Sequence, residues 1–228
     1  PHGVRPLGGA RPQYRGGRLE LLYFGRLNED QKQVSRLLDL AEVLVAREGD
    51  FRLTVVGDGP SSAALAARAA VPPLSAHVRI LPSVGPDELG AFVAESHVFV
   101  LTSAYEGFCL SLAEAMRAGL PAVAFSCGGV IETYLVHGRN GYVCAQGDVR
   151  GMADHLLEMQ RSPALWRELA ACASSAIVER YSWAASAARY AELFSAAVGD
   201  SRSFSWPWLR PMPREPPRRR FDPSSARR

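Results

Sequence analysis

A run of purely apolar residues, Val98 to Leu101, gives way to a loop at Ser103 to Glu106 and then to a helical pattern: VFVLTSAYEGFCLSLAEAMRAG, residues 98–119. No other stretch restricts the architecture of this chain so much. Four apolar residues without polar alternation fit a strand buried on both faces, as in a parallel sheet sandwiched by helices. Leu110, Ala113, Met116 and Ala118 follow at helical spacing, and Gly119 is the residue type that ends such a helix. The unit is strand, glycine-containing loop, helix, with one carboxylate (Glu106) in the loop and a second (Glu114) on the helix.

The same alternation runs through the chain. Strands are expected at Leu19 to Phe24, Leu53 to Val56, Val78 to Leu81, Pro121 to Phe125 and Tyr142 to Cys144, besides the one at Val98. Helical patterns fall at Gln31 to Arg47, near 61–70, at Pro86 to Glu95, from about Ile131 to Val136, and near 148–160, 163–180 and 183–197. Strands alternating with helices predict an α/β fold, a Rossmann-like doubly wound parallel sheet of about six strands with helices on both faces. Right-handed crossovers give the order 3-2-1-4-5-6 if the dinucleotide-type arrangement applies. A ligand then sits where the order reverses, between the carboxyl ends of the first and fourth strands. The first ends at Gly25-Arg26 and the fourth in the Glu106 loop, so two segments distant in sequence should face one cleft.

Backbone N–H groups around Phe108 to Leu110 would point out of the helix start, where unpaired donors and the helix dipole together attract anions. Two carboxylates beside an anion hole suit a ligand bearing hydroxyls and phosphate, such as a nucleotide-sugar. Lys32 is the only lysine among 26 basic residues. It is expected in the first turn of the helix after strand one, either gripping a diphosphate together with Arg26 or solvated beside Asp30. Gly57-Asp58-Gly59 follows a strand as a phosphate loop does, but Ser62 stands where a third glycine would, so a tight turn explains it equally well. Glu106 and Glu114 invite comparison with a glycosidase pair, although nothing in their spacing enforces the required separation. His97 heads an apolar strand and is expected to be packed rather than catalytic. The five histidines are scattered and imply no metal site.

The composition, 47% hydrophobic and 21% charged, is that of a globular domain, and no apolar run is long enough for a membrane helix. Cys109, Cys127, Cys144 and Cys172 lack C-x-x-C spacing and are expected as buried free thiols in a reducing compartment. The net charge of +3 hides an asymmetry. Residues 201–228 hold eight arginines against Glu215 and Asp222, leaving the rest of the chain acidic.

Taken together, these residues resemble the C-terminal, donor-binding half of the retaining glycosyltransferases of family 4 (group 1), which have a GT-B fold. SAYEGFCLSLAE at Ser103 to Glu114 is similar to that family's two glutamates separated by seven residues. GRLNEDQK at Gly25 to Lys32 resembles the segment that supplies its arginine and lysine. VGDGP, PSVGPDEL, AGLPAVAF, GGVIE and HGRNGYV fall in family order. The resemblance implies retaining transfer from a nucleotide-diphosphate sugar, UDP- or GDP-linked, without a metal or other cofactor. It assigns Arg26 and Lys32 to the diphosphate, with Glu106 and the backbone at Gly107, Phe108, Cys109 and Leu110 at the donor sugar. Glu114 would hold the ribose, Ser83 and Val84 the base, and Gly57 and Gly59 would flank the donor. Lys32→Ala is expected to cut transfer severely while leaving the fold intact. Two departures stand out: Arg26 to Lys32 is one residue longer than the commoner spacing, and Ile131 occupies a frequent proline position.

The organisation read this way is an interdomain hinge at 1–18, a nucleotide-sugar-binding domain at 19–198, and a Pro/Arg-rich tail at 199–228 expected to be disordered. The N-terminal Rossmann-like half that binds acceptor is a missing partner, so the fragment alone is expected to be inactive. Arginines and the Phe204-Ser205-Trp206-Pro207-Trp208 pattern suggest weak contact with an anionic membrane surface. No recognition module for nucleic acid accompanies these charges. The implied location is cytoplasmic, peripheral at the membrane face if the tail docks. A non-catalytic nucleotide-sugar-binding module and a sugar-nucleotide epimerase of the same architecture are the alternatives.

Overall fold

The computed structural model describes residues 3–200. Its packing divides the chain into one unit from Pro1 to Arg189 and a second from Tyr190 to Arg228. The sheet and every candidate residue named above belong to the first. Within the second, the rings of Tyr190 and Phe194 stack with centroids 6.0 Å apart. The stretch from 201 onward, with its expected disorder and membrane contact, lies outside the described residues, as do Pro1 and His2.

Six parallel strands form the sheet: β1 (Leu19–Phe24), β2 (Phe51–Val56), β3 (Val78–Leu81), β4 (Val98–Leu101), β5 (Ala122–Phe125) and β6 (Gly141–Cys144). Their order is β3-β2-β1-β4-β5-β6, the reversing order of the dinucleotide-type arrangement. β1 pairs with β2 from Leu19 opposite Phe51 to Phe24 opposite Val56, and with β4 at Leu21 opposite Val98. β4 and β5, covered on both faces, are buried at every residue, which is why neither shows polar alternation. Edge strand β3 tolerates the exposed Arg79.

The helices are α1 (Glu29–Lys32), α2 (Ser35–Ala46), α3 (Ser62–Ala69), α4 (Pro86–Glu95), α5 (Leu110–Ala118), α6 (Val149–Arg161), α7 (Pro163–Tyr181) and α8 (Trp183–Asp200). They lie where the apolar periodicity placed them, with two exceptions. Ile131–Thr133 is only a 3-10 turn. The pattern from Gln31 to Arg47 is not one helix: Gln33 is left-handed (φ 45°, ψ 48°) and separates α1 from α2. Lys32 is therefore the last residue of a one-turn helix, not part of the first turn of a long one.

Ends are chemically marked. Asp148 caps α6 by accepting from the Gly151 N–H at 2.9 Å, and Ser162 caps α7 ahead of Pro163. Gly119, with φ 103°, ends α5 in the left-handed region. Residues 3–18 form no regular element yet are anchored. Val4 is buried and donates its N–H to the Tyr181 carbonyl at 2.7 Å, while the buried Tyr14 donates its hydroxyl to the Gly17 carbonyl at 2.8 Å. The Tyr14 ring packs on His97 and Trp166. His97 itself is packed as expected, its Nδ1 accepting the Glu20 N–H at 3.0 Å. Burial lowers its pKa.

Candidate functional site

At the carboxyl ends of β1 and β4, the two loops singled out in the sequence meet. Past Gly25, the Tyr23 hydroxyl donates to the Arg26 carbonyl at 2.9 Å and fixes the turn. Arg26 itself is exposed and pairs with no carboxylate among the described residues. The buried Thr102, directly after β4, donates its hydroxyl toward the carbonyls of Lys32 (3.0 Å) and Gln33 (3.2 Å). Ala104 N–H donates to the Gln31 carbonyl at 2.8 Å. These bonds hold the end of α1, and with it the left-handed Gln33, against the β4 loop.

Lys32 Nζ is thereby brought 2.6 Å from Glu106 Oε1, which also accepts the Ser103 hydroxyl at 2.7 Å. The two side chains are only 13% and 5% exposed. Charges so far from solvent persist because each is paired and hydrogen-bonded. An ammonium has three donors, of which Glu106 takes one, so the pair retains capacity to grip a second anion.

Beyond Glu106 the chain enters α5 through Cys109, whose φ of 62° is unusual for a side-chain-bearing residue. The Tyr134 hydroxyl secures this bend by donating to the carbonyls of Phe108 (2.5 Å) and Cys109 (3.3 Å), and the rings of Phe108, Tyr134 and Tyr181 pack against one another. Burial pushes the Cys109 thiol up to about 11. No side-chain cap hydrogen bond closes the start of α5, the positive end of its dipole. Glu114 lies one turn beyond the half-exposed Leu110. Burial raises its pKa against the opposing pull of Arg5, whose Nε is 3.6 Å from the carboxylate. The two glutamates thus have separate partners, Lys32 with Ser103 for one and Arg5 for the other.

On the β2 side a pocket of about 100 Å³ is lined by Phe24, Gly25, Val56, Gly57, Ser83, Val84 and Leu89. The Ser83 N–H is occupied, donating to Asp58 Oδ2 at 2.8 Å. Gly57 and Gly59 have a packing reason to be glycine. A Cβ on Gly57 would stand 1.9 Å from the Gly25 carbonyl oxygen, and one on Gly59 2.2 Å from that of Leu27. Gly107, by contrast, has open space where a Cβ would go. A larger pocket of about 340 Å³ lies between α2 and α3, bordered by Val34, Leu38, Leu65 and Arg68, and includes neither Lys32 nor Glu106.

Four residues that build the crevice were missed by sequence reasoning: Thr102, Ser103, Tyr134 and Gln146, whose Nε2 donates to the Ser103 and Ser126 carbonyls. Ser103 had a signal, being inside the motif three residues before Glu106. The other three bond backbone carbonyls across loops, and nothing in their local sequence announces that.

The family model for glycosyl transferases group 1 matches residues 18–162. N-acetyl-alpha-D-glucosaminyl L-malate synthase of Bacillus anthracis is 28% identical over 174 residues, 75% of this chain and 45% of the relative. D-inositol 3-phosphate glycosyltransferase of Streptomyces scabiei is 32% identical over 193 residues, covering 80% of this chain and 42% of the relative. The chain spans less than half the length of each. A solved structure of an S. aureus TarM variant in complex with fondaparinux, alpha-GlcNAc-glycerol and UDP superposes with a TM-score of 0.74 at 23% identity, over 84% of this chain and 38% of that one.

Proposed function

Because the chain belongs to the glycosyl transferases group 1 family, we propose that it is the donor-binding half of a retaining glycosyltransferase using a nucleotide-diphosphate sugar. The second Rossmann-like half would supply the acceptor site, and transfer would need both. The observation that carries this reading is the Lys32–Glu106 pair, 2.6 Å apart at the point where the strand order reverses. UDP in the TarM complex supports the same ligand class.

In this reading Arg26 and the unused donors of Lys32 hold the diphosphate, and the uncapped start of α5 faces it. Glu106 and the backbone from Gly107 to Leu110 meet the donor sugar. Glu114 accepts ribose hydroxyls once Arg5 gives way, and the base lies in the pocket at Ser83-Val84. The departing nucleoside diphosphate gains negative charge as the glycosidic bond breaks. Fixed cations and a helix start stabilise that charge in a water-poor crevice, where losing one donor costs roughly 3–4 kcal/mol of barrier. Glu106 keeps Lys32 aimed while the site is empty.

Thermal unfolding against UDP-, GDP- and ADP-sugars tests the reading. A ligand at 100 times its Kd should add about 2.7 kcal/mol if it binds only the folded chain. Failure of all of these ligands to stabilise the chain would overturn it.

A further inference from the structure

We propose that Gln146 is the positioning residue that holds the Glu106 loop in its working geometry. After β6 the chain turns at Gly147 (φ 79°), leaving Gln146 on the surface. An exposed glutamine ordinarily points into water. Here its Nε2 donates toward three main-chain carbonyls, Ser126 at 2.6 Å, Ser103 at 2.9 Å and Ala104 at 3.3 Å. The orientation of the amide follows from chemistry, since the flipped form would set Oε1 against three oxygens. One side chain thus ties together the loops that follow β4, β5 and β6.

The tie reaches the charged pair through Ser103. Gln146 holds the Ser103 carbonyl, and the Ser103 hydroxyl donates to the same Glu106 oxygen that receives Lys32. Ala104 is held at both ends, its carbonyl by Gln146 and its N–H by the Gln31 carbonyl next to Lys32. Gln146 acts on the site only through these residues. Its consequence for ligand binding rests on the donor-site reading above; its effect on the loop does not.

Two near-isosteric variants separate the roles. Gln146→Met removes the donor, and Gln146→Glu turns it into an acceptor facing three acceptors. Both changes are at the surface and remove no core contact. Hydrogen exchange on the full chain reads the loop, with the Ala104 amide as reporter and β1 and β2 as internal controls. Exchange across 103–108 should rise about ten-fold in Gln146→Met and further in Gln146→Glu, with the control strands unchanged. Titration with UDP, read by calorimetry, should show Kd weakened about ten-fold in Gln146→Glu. Unchanged loop exchange in both variants overturns the proposal, as does an equal rise in β1 and β2, which would mark a purely structural residue. Looser exchange with an unaltered UDP Kd overturns it too. If the unmodified chain binds none of UDP, GDP and ADP, the donor reading fails, and the exchange measurement alone decides for or against Gln146; if it binds GDP or ADP instead of UDP, that nucleotide replaces UDP in the titration.

Discussion

Lys32 Nζ lies 2.6 Å from Glu106 Oε1 across 74 residues of sequence, and both side chains are nearly withdrawn from water. The single lysine of the chain is therefore a structural partner as well as a candidate ligand for phosphate. Removing it leaves a carboxylate in a poorly hydrated place with only the Ser103 hydroxyl for company.

The ion pair revises what Lys32 substitutions should do. Sequence reasoning expects Lys32→Ala to spare the fold. With Glu106 left uncompensated, Lys32→Met should instead cost about 3 kcal/mol in urea unfolding. The double variant Lys32→Met with Glu106→Gln should recover most of that loss, because neither charge is then stranded. Equal stability of Lys32→Met and the parent chain would refute the structural part of this role.

The two glycine loops should respond oppositely to a methyl group. Gly57→Ala forces a Cβ to within 1.9 Å of the Gly25 carbonyl oxygen, so the β1 and β2 loops must separate. A loss of about 3 kcal/mol or more is expected in thermal unfolding. Gly107→Ala meets open space and should shift stability by under about 0.5 kcal/mol. Any larger effect of Gly107→Ala on ligand binding would then report the ligand rather than the fold.

His97 gives stability a pH dependence of definite sign. Burial disfavours its charged form, so its folded pKa lies below the ordinary 6.5. Between those two values the unfolded chain binds more protons than the folded one. The contribution of His97 is complete above pH about 6.5 and is lost as the pH falls through the window beneath it. Unfolding free energy should thus drop more steeply below that pH in the parent chain than in His97→Asn, where the amide oxygen can still accept the Glu20 N–H. Parallel pH profiles would contradict the assignment.

The thiols should differ in reactivity. Cys109, Cys127 and Cys144 are buried and pushed up to about 11, about 12 and about 11, whereas Cys172 is only partly buried. A thiol-reactive dye at pH 8 should label Cys172 first in the native chain and all four sites in denaturant. Rapid labelling of Cys109 would mean that the α5 entrance opens.

Some of this was legible in the residues and some was not. Apolar runs such as Val98 to Leu101 and the helical spacing after Leu110 follow from local periodicity, and that alternation leads to the strand order once the dinucleotide-type arrangement is assumed. The strand order in turn predicts that the Gly25-Arg26 and Glu106 loops share a crevice, as they do. The split at Gln33 was not legible, because apolar spacing continues through Val34 and the left-handed residue is held by Thr102, from the loop after β4. The glycines at 57 and 59 were recognisable as special, but their cause is the Gly25 to Leu27 backbone pressed against them.

Hydrophobic pattern and motif spacing along the chain are therefore enough for most of the elements, the α/β class and the family resemblance, since these depend on local residue order. Tertiary packing alone sets which partner each charged or amide side chain takes: Lys32 with Glu106, Arg5 with Glu114, Gln146 with three carbonyls. Those choices depend on ångström-scale distances between loops that no local residue pattern encodes, and on burial that makes an unpaired charge costly.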